Sequence, residues 1–338
     1  MIKRALALYK LRLKRKKLLL RAWRKSGQLS SIRDQTSRIL DTDILAFSTM
    51  RNEMLRLPFW LDHYRKLGVG HFLIVDNDSD DGTRAYLKAQ PDVSVWSTGD
   101  SYKLSRFGMD WLTWLQMQHA DRHWAITVDA DELLVYPSYM SHDLRVLTDW
   151  LSDRDVASFG ALMLDMYPKG PLSKTTYTAG GDPTKTIPYF DMGNYRHQPN
   201  KTFGSRWIQG GVRERVFFAK QPERSPTLNK VPLVFWQRNF AYVTSTHHML
   251  PAKLNAVFDI KGVPTGVLLH NKFLNTISTK SVEELERKQH FENSDLYQTY
   301  YEALIGDPDF WTSASVKYEN TEQLIDLKLM SKGDWPRT

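Results

Sequence analysis

Apolar residues in the first half of the chain follow two alternating patterns. Short continuous runs predict strands buried on both faces of a sheet, and longer segments with apolar residues every three or four positions predict amphipathic helices. Strands are predicted at 43–50, 71–76, 93–96 and 124–129, with helices at 53–68, 83–90 and 104–120 between them. Strands that alternate with helices predict an α/β fold, a mostly parallel sheet flanked by helices.

The pattern is looser in the second half of the chain. Residues 165–210 are rich in Gly, Pro, Tyr, Thr and Asn. A segment this long without periodicity is usually disordered or functional, and its aromatic content favours a binding loop. Beyond it, strands are predicted at 212–219, 231–236 and 264–270, and helices at 281–304 and 320–330.

The first 25 residues contain 11 Lys or Arg and no Asp or Glu. Apolar residues recur among them at helical spacing, at Ile2, Leu6, Tyr9, Leu13 and Leu20, with Trp23 nearby. A basic amphipathic helix fits an anionic membrane surface, and it fits equally a solvated helix or one packed on the body. Basic residues interrupt every apolar run, so neither a membrane span of roughly 20 residues nor a signal peptide is predicted.

Composition narrows the classes of function. The net charge of +8 belongs to the N-terminal arm, because the remaining residues carry 35 basic and 38 acidic side chains, a net of −3. A near-neutral body argues against a nucleic-acid partner. The absence of cysteine excludes disulfides, thiolate chemistry and Cys-based metal sites, and it fits a cytoplasmic location, with the inner face of the membrane as the alternative.

Two acidic clusters follow predicted strands. Asp129 and Asp131 are two positions apart at the end of the fourth strand, so their side chains point the same way in extended backbone and repel each other unless a cation lies beside them. The second cluster, at 76–81, follows the second strand, and ligands bind beyond the carboxyl ends of such strands. Carboxylate pairs of this kind suit Mg²⁺ or Mn²⁺, which usually also bind substrate phosphates.

These motifs resemble a known family. "RNE" (51–53), "LGVGHFLIVDNDSDDGT" (67–83) and "VDADELL" (128–134) resemble the nucleotide-sugar-binding half of a family 2-type glycosyltransferase of the Rossmann-like GT-A fold. The motifs that resemble the bacterial branch known simply as glycosyl transferase family 2 are "GGVRERVF" (210–217), "NKVPLVFW" (229–236) and "GVLLHNKF" (266–273). The resemblance implies an arm and linker at 1–42, a catalytic domain at 43–275 with a nucleotide-sugar half (43–137) and an acceptor half (138–275), and a helical extension at 276–338.

The resemblance also implies roles for individual residues. The residues expected to contact the nucleotide sugar are Arg51, Asn52, Glu53, Asp76, Asn77, Asp78, Asp129, Arg213 and Lys272, and those expected to bind the divalent metal are Asp131, Asp129 and His270. His247 and His248 compete with His270. Asn77 stands where much of the family has an aspartate that contacts the base, so uracil is only the default. Glu132 is expected to support this site rather than to bind the metal.

The implied reaction is transfer of a sugar from a nucleoside-diphosphate sugar, with UDP as the default nucleotide, to a hydroxyl of a glycan or lipid-linked acceptor in bacterial surface polysaccharide synthesis. Direct displacement would invert the anomeric configuration, and a carboxylate would deprotonate the hydroxyl. Candidates for that base are Glu214, Asp191 and Asp165.

Two other classes of function remain. A nucleotidyltransferase of similar fold would favour a Gly-rich, basic loop after the first strand, where this chain has "STMRNE". A non-catalytic carbohydrate-binding module would suit the 11 Trp, but it gives no reason for carboxylates on one rim.

Overall fold

A computed structural model of the chain describes residues 2–274, 277, 300 and 302–336, and of residues 2–4 only the backbone. The α-helices are α1 (Ile2–Lys25), α2 (Leu57–Lys66), α3 (Thr83–Ala89), α4 (Met109–His119), α5 (Leu144–Ser152), α6 (Pro183–Thr186), α7 (Gly211–Phe217) and α8 (Thr321–Asp326). The strands are β1 (Ser30–Arg33), β2 (Ile44–Met50), β3 (Val69–Asp76), β4 (Val93–Ser97), β5 (Trp124–Thr127), β6 (Glu132–Val135), β7 (Ser158–Asp165), β8 (Tyr189–Asp191), β9 (Arg196–Asn200), β10 (Ser205–Gln209), β11 (Asn229–Phe235), β12 (Ala241–Thr244), β13 (His248–Leu250), β14 (Gly266–His270) and β15 (Ser315–Lys317). Short 3₁₀ segments occupy Ser26–Gln28, Thr36–Arg38, Lys103–Ser105, Leu172–Lys174, Pro222–Arg224 and Ala252–Phe258.

A central sheet of nine strands has the order β1-β4-β3-β2-β5-β11-β7-β14-β6. Strands β4, β3, β2 and β5 are parallel neighbours, and β7 and β14 run in the same direction as these four. Strands β1, β11 and β6 run the opposite way. The predicted α/β class with a mostly parallel sheet is therefore confirmed.

Helices cover both faces of the sheet, which explains why its strands are continuously apolar. Side chains of β2 alternate between two cores: Ala46 packs with Trp60 of α2 on one face, and Phe47 packs with Trp111 of α4 on the other. Because both faces of the sheet are buried, polar and apolar residues do not alternate along β2.

The strands predicted at 231–236 and 264–270 are confirmed as β11 and β14. The strand predicted at 212–219 is wrong, because this segment is helix α7 followed by a turn. Its sequence Val-Arg-Glu-Arg-Val has two β-branched residues, which favour a strand, but Val212 and Val216 are four positions apart, which is helical spacing. The helix predicted at 281–304 lies outside the described residues, apart from Tyr300 and residues 302–304.

The N-terminal arm forms the predicted helix, α1, which buries Leu18 and Ala22 against the body and packs beside α4. Strand β1 follows it and pairs with β4 at one edge of the sheet. Within the described ranges, no helix has both the length and the apolar character needed to cross a membrane.

Asp110 of α4 is fully buried and bonds to Arg21 of α1 (2.6 Å) and to Arg106 (2.7 Å). Asp110→Ala should lower the free energy of unfolding by about 3 kcal/mol, because it leaves the mostly buried Arg106 without a countercharge. Arg21 is 43 % exposed, so Arg21→Ala should lower it by no more than about 1 kcal/mol. Urea unfolding of both variants measures this, and equal losses would contradict it.

Candidate functional site

The residues expected to carry chemistry meet at one rim of the central sheet. Strands β2, β3, β5, β7 and β14 end at this rim, and β6 and β11 begin there because they run in the opposite direction. The strand ends and starts that form the rim carry Arg51, Asp76, Asp129, Glu132, Asp165, Lys230 and His270. This direction of the strands, rather than closeness in sequence, assembles the site.

The acidic motif lies in a turn rather than in extended backbone. Strand β5 ends at Thr127, and Glu132 begins β6 at the far edge of the sheet. Two hydrogen bonds to backbone carbonyls hold the turn in place. Trp60 Nε1 donates to the carbonyl of Asp129 (3.1 Å), and the backbone amide of Asn271 donates to the carbonyl of Asp131 (2.7 Å). The turn is thereby fixed against α2 and against the segment that follows β14.

His270 links the acidic turn to β7. Its Nδ1 lies 2.6 Å from Asp165 Oδ1, and its Nε2 lies 3.3 Å from Asp131 Oδ2. The two competing histidines lie elsewhere: His247 bonds to the carbonyl of Asn229 (2.7 Å), and His248 stacks on Trp207. Of these three histidines, His270 is the one that the structure brings to the acidic turn.

Charge coupling sets the protonation of this cluster. Burial alone would raise the pKa of Asp165, but Arg213 (2.7 Å) and His270 outweigh it and hold that pKa at about 2. Burial would likewise lower the pKa of His270, and the carboxylates of Asp131 and Asp165 raise it instead. The pKa of Asp131 lies well below its usual range, because His270 overcomes the opposing effect of burial.

Lys230 is a member of the cluster that sequence reasoning missed. It opens β11, is 3 % exposed, and places Nζ 2.9 Å from Glu132 Oε1 and 3.5 Å from Asp129 Oδ2. Burial would lower the pKa of Lys230, but these two carboxylates raise it and keep the ammonium charged. The only signal in the sequence was a lysine beside an apolar strand, which usually lies on the surface.

Glu132 lies where it supports the turn. Its Oε2 accepts from the amide of Asp129 (3.2 Å), while Oε1 faces Lys230. The side chain is nearly inaccessible, so it acts on the backbone of the turn rather than on a ligand.

Asp131 and His270 fit a divalent metal as a pair of ligands. Asp165 bonds to Nδ1 of His270, so Nε2 is left facing the partly exposed carboxylate of Asp131. A carboxylate that bonds to the second ring nitrogen of a metal-binding histidine is common in metal sites. Among residues 2–274, 277, 300 and 302–336, no three His, Asp or Glu side chains converge to hold a metal by themselves. Asp129 turns instead toward Lys230. Such a two-residue site suits an ion that takes its other ligands from phosphates and water.

Hydrogen bonds join the loop after β2 to the loop after β3. Arg51 donates to the carbonyls of Asn77 (3.0 Å) and Asp78, and the amide of Asn52 donates to Ser79 Oγ (3.0 Å). The side-chain nitrogen of Asn77, Nδ2, donates to two backbone carbonyls. Only the side-chain oxygen of Asn77 therefore remains to accept a hydrogen bond from a ligand. Asp76 is buried and bonds to Arg84 (2.6 Å).

Arg56, another residue whose role the sequence did not indicate, joins the loop after β2 to the segment that follows β14. Its guanidinium lies 2.9 Å from Glu53 Oε2 and donates to the carbonyls of Asn271 (3.2 Å) and Lys272 (3.5 Å). Lys272 Nζ lies 6.0 Å from the ring centre of Tyr300. The three motifs at 51–53, 129–131 and 270–272 are thus connected by direct contacts.

Two of the proposed bases, Asp191 of β8 and Glu214 of α7, lie in ion pairs. Arg215 of α7 bonds to both oxygens of Asp191 (2.8 and 3.0 Å). Glu214, in the same helix, accepts from Ser225 Oγ (2.7 Å) and contacts Arg196. Gly210, which precedes this helix, lies against the backbone of Asn194. A Cβ at Gly210 would lie 2.3 Å from the carbonyl oxygen of Asn194, so the glycine packs against protein backbone and not against an open site.

Comparisons with known proteins add little. No family model matches the chain, and no curated protein does. One solved structure with some likeness is a protein from Bacillus anthracis assigned as a glucose-1-phosphate thymidylyltransferase, in complex with a sucrose. It is 9 % identical, with a TM-score of 0.31 over 78 % of this chain and 83 % of that one, and a likeness this weak carries no conclusion.

Removing Lys230 tests the buried pair. Lys230→Met should lower the free energy of unfolding by about 3–5 kcal/mol, because Glu132 would be left buried and unpaired. The double variant with Glu132→Gln should lose less than the sum of the two single changes. Lys66→Met removes a surface pair with Asp62 and should change stability by at most about 1 kcal/mol. Additive losses in denaturant unfolding would contradict this coupling.

Proposed function

We propose that this protein is a metal-dependent glycosyltransferase that moves a sugar from a nucleoside-diphosphate sugar to a hydroxyl of a glycan or glycolipid acceptor. The observation that carries the proposal is the Asp131–His270 pair at a rim that also carries Arg51 and the loop after β3. A sugar-nucleotide donor needs a pocket for its nucleoside beside a centre that accepts diphosphate charge, and this rim has candidates for both.

We assign a role to each residue of the rim by its position. Arg51, Asn52, Glu53, Asp76, Asn77 and Asp78 would surround the nucleoside, with Asn77 accepting from the base. Asp131 and His270 would hold Mn²⁺ or Mg²⁺, which supplies positive charge for the departing diphosphate. Lys272 and Arg213 lie near enough to Asp131 and Asp165 to influence their pKa values, so they are the cations proposed to face the diphosphate and the acceptor. Asp129 would contact the ribose or the metal.

Two carboxylates stay the candidates for the general base. Asp165 has a pKa of about 2 and is bound to His270, so we assign it to orienting that histidine. Glu214 and Asp191 lie on the acceptor side, and each would have to release its arginine to accept a proton from the acceptor hydroxyl.

A nucleotidyltransferase is the less favoured alternative. Its chemistry would require a flexible loop after β2 to approach phosphates. The loop present here has no glycine. Side chains of the loop after β3 and of the first residue of α3 accept hydrogen bonds from its backbone amides at Asn52, Glu53 and Met54.

Nucleotide binding provides a direct test. UDP with Mn²⁺ should raise the melting temperature, and Asp131→Ala or His270→Ala should weaken the metal-dependent part of binding by at least about tenfold. Asp149→Ala, which removes an exposed carboxylate on α5, serves as the control. If UDP, GDP and CDP all leave melting unchanged with and without metal, the proposal is wrong.

Steady-state kinetics separates the carboxylates. The variant that removes the base, Glu214→Gln or Asp191→Asn, should lower kcat by roughly 10²- to 10⁴-fold while nucleotide binding is kept. Asp165→Asn should instead weaken metal-dependent nucleotide binding by about 10- to 100-fold. Full transfer activity in both Glu214→Gln and Asp191→Asn would exclude these two residues as bases.

A further inference from the structure

Helix α1 has two apolar stripes on opposite faces. One contains Leu18 and Ala22, which are both buried, and Leu18 packs beside Ala241 and Leu250. At about 100° per residue, the other stripe lies on the opposite side of the helix. It consists of Leu6, Tyr9, Leu13, Leu20 and Trp23, and each of these side chains is between 46 % and 57 % exposed. We call this second set the outward stripe.

Basic residues border the outward stripe on both sides. By the same helical spacing, Arg12 lies along one edge, Lys10 and Lys17 lie along the other, and Lys16 and Arg24 fall within the angular range of the stripe itself. All five are exposed, and α1 contains no acidic residue that could neutralise them. A helix surface with an apolar centre and basic borders matches the boundary of an anionic bilayer, where apolar side chains enter between headgroups and ammonium groups meet phosphates.

We propose that the outward stripe of α1 docks the folded protein on an anionic lipid surface, with α1 lying parallel to that surface. The body supports this orientation, because the opposite face of α1 is packed on α4 and β12 and the helix needs no further ordering. This inference stands on α1 alone and holds whether or not the rim transfers sugar.

Charge decides against the other occupants of this face. A second copy of the chain would bring together two sets of the five basic residues at the outward stripe, and neither helix has an acidic residue to pair with them. A nucleic acid would satisfy the basic borders but would leave the apolar centre exposed to water. An anionic bilayer satisfies both parts of the surface.

Vesicle co-sedimentation of the full chain tests the proposal. Vesicles that contain phosphatidylglycerol should bind the protein, and vesicles of phosphatidylcholine alone should bind it far less. Leu13→Ser combined with Leu20→Ser should weaken binding to the anionic vesicles by about tenfold or more, because two apolar side chains no longer leave water. Leu8→Ser removes a leucine that is more exposed than Leu13 or Leu20 but lies outside the outward stripe, and it should change binding little.

Each alternative gives a distinct result. Absent binding to anionic vesicles, or equal binding by the double variant, would overturn the proposal. So would a dimer in solution that the double variant dissociates, since the stripe would then be a contact between copies. Unchanged melting temperatures of the variants check that they are folded, and nucleotide-induced stabilisation, measured separately, reports on the rim rather than on α1.

Discussion

Every carboxylate that is buried among the described residues has a cation within hydrogen-bond distance. Among the described residues, the buried carboxylates and their partners are Asp76 with Arg84, Asp110 with Arg106, Glu132 with Lys230, Asp165 with Arg213, and Asp191 with Arg215. A buried charge without such a partner destabilises a fold by several kcal/mol. The rim of the sheet can therefore concentrate acidic side chains only because arginines and lysines from distant segments reach the same place.

This dependence on distant partners explains what the sequence could and could not predict. Continuous apolar runs indicated the strands, and the rule that ligands bind beyond strand ends indicated Asp129 and Asp131. His270 was implied by the family resemblance. Lys230 could not be predicted, because its role depends on β11 lying antiparallel between β5 and β7. The strand predicted over α7 is wrong because Val212 and Val216 follow helical spacing, and the β-branched residues that favoured a strand do not decide over so short a segment.

The loops proposed to bind nucleotide are braced before any ligand arrives. Asn52 and Asp78 both have positive φ, which Asn and Asp tolerate better than most residues, and side-chain bonds join the two loops across the rim. Residues that looked like ligand contacts in the sequence thus also hold each other. Such bracing reduces the entropy lost on binding, which favours a ligand that fits the fixed shape.

Asp165 connects the two sides of the rim. One of its oxygens accepts from His270, which faces Asp131, and the other accepts from Arg213 of α7, the helix that also supplies Glu214 and Arg215. A shift of α7 would therefore change the hydrogen bond that orients His270. A single carboxylate thus joins the histidine proposed to hold the metal to the helix that carries two residues proposed for the acceptor side.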